Sequence, residues 1–256
     1  MTGATVRRPV ALRGVDPWRF ERTEAVLAPA EPGSGIVING VRAGTRTATV
    51  SRHAVRVGRV ALVEHLLAAC CGLGITDLAV AVKGRSLPLL DGSALPWVRA
   101  LERAGLKRAG IIAPLRLRGS VTVSEGNSVI AVLPAKRLAV TCLALAPRGS
   151  AQNVSWRAGS AAFEREVAPA RTFGPLSGGA RASARLKLGY AVREVGGMLV
   201  PVRERLRDEA CRHKILDLVG DLALLGRPLV AEVFAICPGH RLNLALARAL
   251  EEQSEV

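Results

Sequence analysis

The polar and apolar positions fall into two blocks with the same running order. In the first, "TEAVLAP" (23–29) and "GIVINGV" (35–41) are short apolar runs that predict strands, with Pro32, Gly33 and Gly35 as breaks between them. "VALVEHLLAACCGLG" (60–74) is apolar on every side, as a buried helix is, and Gly72 or Gly74 would end it. "DLAVAV" (77–82) follows as a strand. After the turn "LLDGSALP", the segment "PWVRALERAG" (96–105) predicts a helix with Pro96 near its start and Gly105 at its end.

The second block opens near Ile112. "LRLRGSVTVSEGNSVIAVLP" (115–134) alternates, with a turn at Glu125-Gly126-Asn127, and predicts a hairpin. "RLAVTCLALAP" (137–147) adds a strand. Residues 174–198 are rich in Gly, Ala, Ser and Arg and read as irregular. A buried helix, "CRHKILDLVGDLALLG" (211–226), a strand, "PLVAEVFAI" (228–236), and a last helix, "LNLALARALEE" (242–252), close the chain. His65 lies nine residues before Gly74, and Asp217 nine before Gly226. The shared order predicts an α+β protein of two similar domains, 1–111 and 112–256, each placing polar groups on the equivalent helix.

Composition narrows the class. Among 256 residues, 49% are hydrophobic and 3% aromatic, so the core will be aliphatic. No run of about 18 apolar residues predicts a membrane-spanning helix, and "MTGATVRRPVALRG" lacks the apolar stretch of a signal peptide. The cytoplasm is the expected compartment. The cysteines, Cys70, Cys71, Cys142, Cys211 and Cys237, form no CxxC pair, which argues against a disulfide framework or a cysteine zinc site. The net charge of +15 favours an anionic partner. Of the 36 basic residues only five are Lys, no dense basic run occurs, and few aromatics offer base stacking, so no nucleic-acid partner is expected. A phosphorylated substrate or peripheral contact with an anionic membrane surface fits instead.

The chemistry lies on the helix 211–226. Positions i and i+4 stack on one helical face, so His213 and Asp217 can reach one ion together. A catalytic metal site takes three His or carboxylate ligands and leaves a position open. His65, on the other buried helix, is the best third ligand, and Glu64 beside it suits a general base. His240, after the last strand, where an active-site loop would be, would act as an acid or stabilise an oxyanion. Asp221, one turn beyond Asp217, would orient a histidine. The competing explanation is a set of buried or capping histidines without a metal. His53, flanked by arginines, reads as a surface residue. Residue types reach no further than a metal-dependent hydrolase.

Five ordered motifs carry a resemblance: "VEHLLAACCGLGITDL", "PLLDGSALPWV", "APARTFG", "RHKILDLVGDL" and "GHRLN". Together they resemble the UDP-3-O-acyl-N-acetylglucosamine deacetylases, zinc amidases of lipid A synthesis. The likeness implies two related α+β domains packed as a layered sandwich, with the active site and its Zn²⁺ between them. It implies His65, His213 and Asp217 as metal ligands, Glu64 as general base, and His240 as the second catalytic group with Asp221 supporting it. It further implies Thr172 at the developing oxyanion, and Phe173 beside the acyl chain, in a groove bordered by 174–198. Lys214 would face the substrate, a UDP-linked acylated amino sugar. The chain departs from the pattern in places. "LRGVDPWRF" stands where the family has Gly-x-Gly-Leu-His-x-Gly, and "LKLGYAVREVGGMLVPV" replaces the usual stretch before the second metal-site helix. Cys237 replaces a frequent Lys, and Leu62 a common Thr. These changes spare the metal and acid–base positions. They leave open a divergent paralogue acting on another N-acyl amino sugar, or a non-catalytic binding protein of the same fold.

Overall fold

The computed structural model describes residues 1–51, 53–147, 149–175, 192–195 and 198–254. Two sheets share one strand order. The first runs Val10–Val15, Arg22–Ala28, Leu78–Lys83, Ile36–Ile38, Val41–Arg42. The second runs Val121–Glu125, Ser128–Pro134, Leu229–Ile236, Ala139–Leu145, Ala151–Arg157. In each, the last strand in sequence takes the centre, antiparallel to the second strand and parallel to the third. The expected duplication is therefore present in topology.

Each central strand is preceded by a buried helix and followed by an amphipathic one. In the first half these are α1 (Glu64–Leu73) and α2 (Leu95–Ala104). A short helix, α3 (Ser160–Glu166), precedes the second pair, α4 (Glu209–Leu222) and α5 (His240–Ser254). Both buried helices end at a left-handed glycine, Gly74 (φ 69°) and, after one 3₁₀ turn, Gly226 (φ 68°). Gly72, the other candidate stop, is interior to α1. The Phe163 ring of α3 lies 2.2 Å from where its Cβ would be.

The layers are sheet, helices, helices, sheet, with α1 against α4 at the seam. Their closest approach is at Gly220, where a Cβ would stand 2.2 Å from the Glu64 carbonyl oxygen and 3.3 Å from the Ala68 nitrogen. Apolar side chains from both halves form one continuous core, from Val6 and Leu27 to Leu246 and Leu250. Burial on both sides explains why α1 and α4 are apolar nearly all round.

Some elements differ from expectation. "GIVINGV" is a tight hairpin rather than one strand, because Asn39 and Gly40 both adopt positive φ (46° and 81°), as a two-residue turn requires. The strand Ala151–Arg157 and α3 were not foreseen. Helix α5 begins at His240, directly after Pro238-Gly239, so His240 occupies a helical first turn and not a loop. Of the segment read as irregular, Gly174–Pro175, Val192–Val195 and Met198 onward are described and belong to a small three-stranded sheet. Residues 176–191 and 196–197, where most of the acyl groove was placed, lie outside the described residues. Among the described residues no helix is long and apolar enough to cross a membrane.

Candidate active site at the seam

Six titratable side chains converge where α1 meets α4 and α5. Helix α1 contributes its first two residues, Glu64 and His65. Helix α4 contributes His213, Asp217 and Asp221, one turn apart, and α5 contributes His240. All but His240 are at most 6% exposed. The polar stripe on an otherwise apolar helix thus faces polar groups of the other half across the seam.

His65, His213 and Asp217 each offer one ligand atom, all within 4.8 Å of one another. Asp217 Oδ1 lies 3.3 Å from His213 Nε2 and 3.8 Å from His65 Nε2. It is buried and accepts no hydrogen bond. A buried carboxylate oxygen left so costs on the order of 1–3 kcal/mol, and a cation between the three atoms would satisfy it. The two rings meet edge to face at 5.1 Å. His213 Nδ1–H donates to the Ala170 carbonyl at 3.0 Å, which fixes the tautomer and turns the Nε2 lone pair to the cluster. Burial holds both imidazoles neutral, the state a ligand needs. His65 falls to about 3, through desolvation and then the neighbouring His213, and His213 is lowered mainly by desolvation. Burial works to raise Asp217, but His213, His240, Lys214 and His65 outweigh it and keep the carboxylate ionised.

The second group of residues handles protons. Glu64 Oε2 accepts the Val55 N–H at 3.2 Å, and Oε1 faces His240 Nε2 at 3.8 Å. Desolvation lifts Glu64 to about 8, against the pull of His240. His240 Nδ1 bonds Asp221 Oδ2 at 2.8 Å, and its Nε2 points at Glu64 and Asp217. Burial opposes the charge on His240, but Asp221, Asp217 and Glu64 prevail and raise it to about 10. Asp221 is raised mainly by desolvation, partly offset by His240.

The segment 167–173 is threaded between the halves. The Ala168 carbonyl accepts both the Ala94 and Leu95 N–H groups at the start of α2. Thr172 N–H donates to the Gly92 carbonyl at 2.7 Å. Arg171 is buried in a pair with Glu209, Nε to Oε1 at 2.8 Å, at the first turn of α4. Phe173 lies 6.1 Å from the His213 ring, with Lys214 Nζ 5.6 Å from the centre of the Phe173 ring. His53 is exposed, in line with the surface reading.

Several residues that shape the site carry no role in the sequence reading. Asn243 Nδ2 donates to Asp221 Oδ2 at 2.8 Å, and its place three residues after His240 on α5 is the signal that could have found it. Asp91 caps the Ser93 N–H and hydroxyl and pairs with Arg205 across the seam at 2.6 Å. Arg171 and Glu209 are 38 residues apart, and their pairing has no local sequence signal.

A duplicated α+β fold with a two-histidine, one-carboxylate cluster between its halves, and a carboxylic acid and an imidazole beside it, defines a hydrolase of the metal-site class. The model of the LpxC family, UDP-3-O-acyl N-acetylglycosamine deacetylase, matches residues 3–252. The chain belongs to this family. It is 34% identical to the UDP-3-O-acyl-N-acetylglucosamine deacetylase of Myxococcus xanthus, over 95% of this chain and 84% of that protein. The proteins of the same name from Phenylobacterium zucineum and Chlamydia muridarum are 34% and 29% identical, over 96% and 97% of this chain and 92% and 94% of theirs.

Proposed function

We propose that this chain hydrolyses the N-acetyl amide of UDP-3-O-acyl-N-acetylglucosamine to acetate and the free amine, an early step of lipid A synthesis, using Zn²⁺ held by His65, His213 and Asp217. The observation that carries the reading is Asp217 Oδ1, buried, without a hydrogen bond and faced by two imidazole Nε2 atoms. Two neutral histidines and one carboxylate suit Zn²⁺. Bound there, the ion supplies Lewis-acid polarisation of the amide carbonyl and makes water acidic enough to attack near neutral pH.

The chain's own residues do the rest. Glu64 takes the proton of the attacking water at Oε1, because Oε2 is occupied by the Val55 N–H. At about 8, Glu64 without a metal is largely protonated at neutral pH. A dication nearby favours the carboxylate, so base function depends on metal binding. His240 carries its proton on Nε2 and passes it to the departing nitrogen, while Nδ1 is held by Asp221. Thr172 steadies the oxyanion. Phe173 borders the acyl chain, and the Lys214 ammonium faces the substrate.

The net charge of +15 suits a diphosphate substrate and an anionic membrane face, and the cytoplasm is the assigned compartment. The boundary between halves is set at residues 111 and 112. Thr2–Val6 pairs with Leu106–Ile111 and closes the first half, whereas Leu115–Arg116 joins Leu229–Val230 of the second sheet. Acetate release from the UDP-linked acylated sugar by zinc-loaded protein tests the proposal. Turnover of simple N-acetylated sugars with none of the UDP-linked substrate would refute it.

A further inference from the structure

His240 is oriented by Asp221, and Asp221 in turn is held by Asn243. The Asp221 carboxylate is fully buried, and its two oxygens are used differently. Oδ2 accepts two hydrogen bonds, from His240 Nδ1 and from Asn243 Nδ2, each at 2.8 Å. Oδ1 accepts none among the described residues. Both donors come from the start of α5, three residues apart and so on one face of the helix. The Asn243 backbone N–H donates to the Gly239 carbonyl at 2.8 Å, which fixes that turn. Asn243 is itself fully buried, and its Oδ1 has no partner among the described residues. Packing alone does not account for it. An apolar side chain of similar size would fill the space without burying an unpaired amide oxygen, which costs stability.

We propose that Asn243 is a positioning residue that keeps the Nδ1 proton on His240. The proposal rests on the reading of His240 as the proton donor. A hydrogen-bond donor stabilises the charged form of a carboxylate and disfavours its neutral form. The Asn243 N–H, aimed at the same oxygen as the imidazole, therefore keeps Oδ2 an acceptor. The proton between Nδ1 and Oδ2 stays on Nδ1. His240 can then surrender only the proton on Nε2, the atom that faces Glu64 and Asp217. That proton passes to the departing nitrogen, Nδ1–H remains, and His240 is left neutral with a lone pair on Nε2. Had Oδ2 taken the Nδ1 proton first, His240 would be a neutral imidazole before the step, and a far weaker acid. The amide donor also fixes the carboxylate sideways, so the ring it holds keeps one orientation.

The test compares zinc-loaded wild type with Asn243→Leu, which is close in size and lacks the donor, and with Asn243→Ala as an independent route if the first variant misfolds. Both should keep about one zinc ion per chain, because no metal ligand is altered. In an acetate-release assay kcat should fall roughly 10- to 100-fold, the worth of one hydrogen bond to a charged group, with KM unchanged. The proton NMR resonance of His240 Nδ1–H, identified by its absence from His240→Ala, should move downfield in the variants, because Oδ2 without Asn243 draws that proton closer. Full turnover in a folded variant, or an unmoved resonance, would overturn the proposal. So would loss of zinc or of the fold in both variants, because Asn243 would then be a packing residue. Wild-type protein that releases no acetate would refute the reading of His240 itself, and this inference with it.

Discussion

The first half of the molecule brings two polar groups to the seam, Glu64 and His65, from a single turn of α1. The second half brings four, along three levels of α4 and the start of α5. Gly226 lies 152 residues after Gly74, and by the same offset Gly220 corresponds to Ala68, the residue it touches across the helix crossing. His65 corresponds to Asp217, and both face the cluster. His213 corresponds to Ala61, which lies before α1 begins and has no polar group. The scaffold is therefore repeated while the polar groups are divided unequally, and neither half alone holds all three residues of the proposed metal site.

The largest expected effect follows from that division. Removing one ligand from either half should abolish tight metal binding. His65→Ala, His213→Ala and Asp217→Ala should each fall from about one metal ion per chain to none by elemental analysis, since three ligands with an open position make the site. Retention by the His65 variant alone would confine the site to the second half.

Next comes the separation of base from ligand within α1. Glu64→Gln should keep the metal and lose about 10²- to 10⁴-fold in kcat, the usual worth of a positioned general base. His240→Ala should lose a similar factor. Near-normal turnover of the Glu64 variant in an acetate-release assay would remove its role.

The stripe was legible in the sequence because a four-residue spacing on a helix guarantees a shared face: His213, Asp217 and Asp221 needed no tertiary knowledge. The duplication was legible through its two glycine stops. What the sequence hid is what the backbone supplies. The Ala170 carbonyl that orients His213 belongs to no motif side chain, and the Arg171–Glu209 pair that holds this segment joins residues distant in sequence. His240 was placed in a loop because the apolar pattern of α5 starts only at Leu242.

A smaller effect tests the helix crossing against the helix ends. Gly220→Ala inserts a methyl group against the Glu64 carbonyl and should cost about 1–3 kcal/mol, the usual range for overpacking. Gly74→Ala and Gly226→Ala have open space at Cβ and only an unfavourable φ, and should each cost about 1 kcal/mol. Denaturant melts would show the order, and equal losses at all three sites would mean the seam is not tightly packed at Gly220.

The smallest effect concerns pH. Glu64 is raised from 4.5 to about 8 in the metal-free fold, so folding disfavours its ionised form. That penalty is absent below about 4.5 and grows as pH rises to about 8. Glu64→Gln mimics the neutral acid. Metal-free Glu64→Gln should therefore melt higher than metal-free wild type, with the gap widening from pH 5 to pH 8. A gap that narrows over that range would reverse the assignment.

The central claim is that one metal ion sits between the two halves. Anomalous scattering from zinc-loaded crystals, recorded at the zinc edge, tests it most directly. The account predicts one peak at the seam, about 2.0–2.2 Å from His65 Nε2, His213 Nε2 and Asp217 Oδ1. A peak held by residues of a single half, or none at the seam in fully loaded protein, would contradict it.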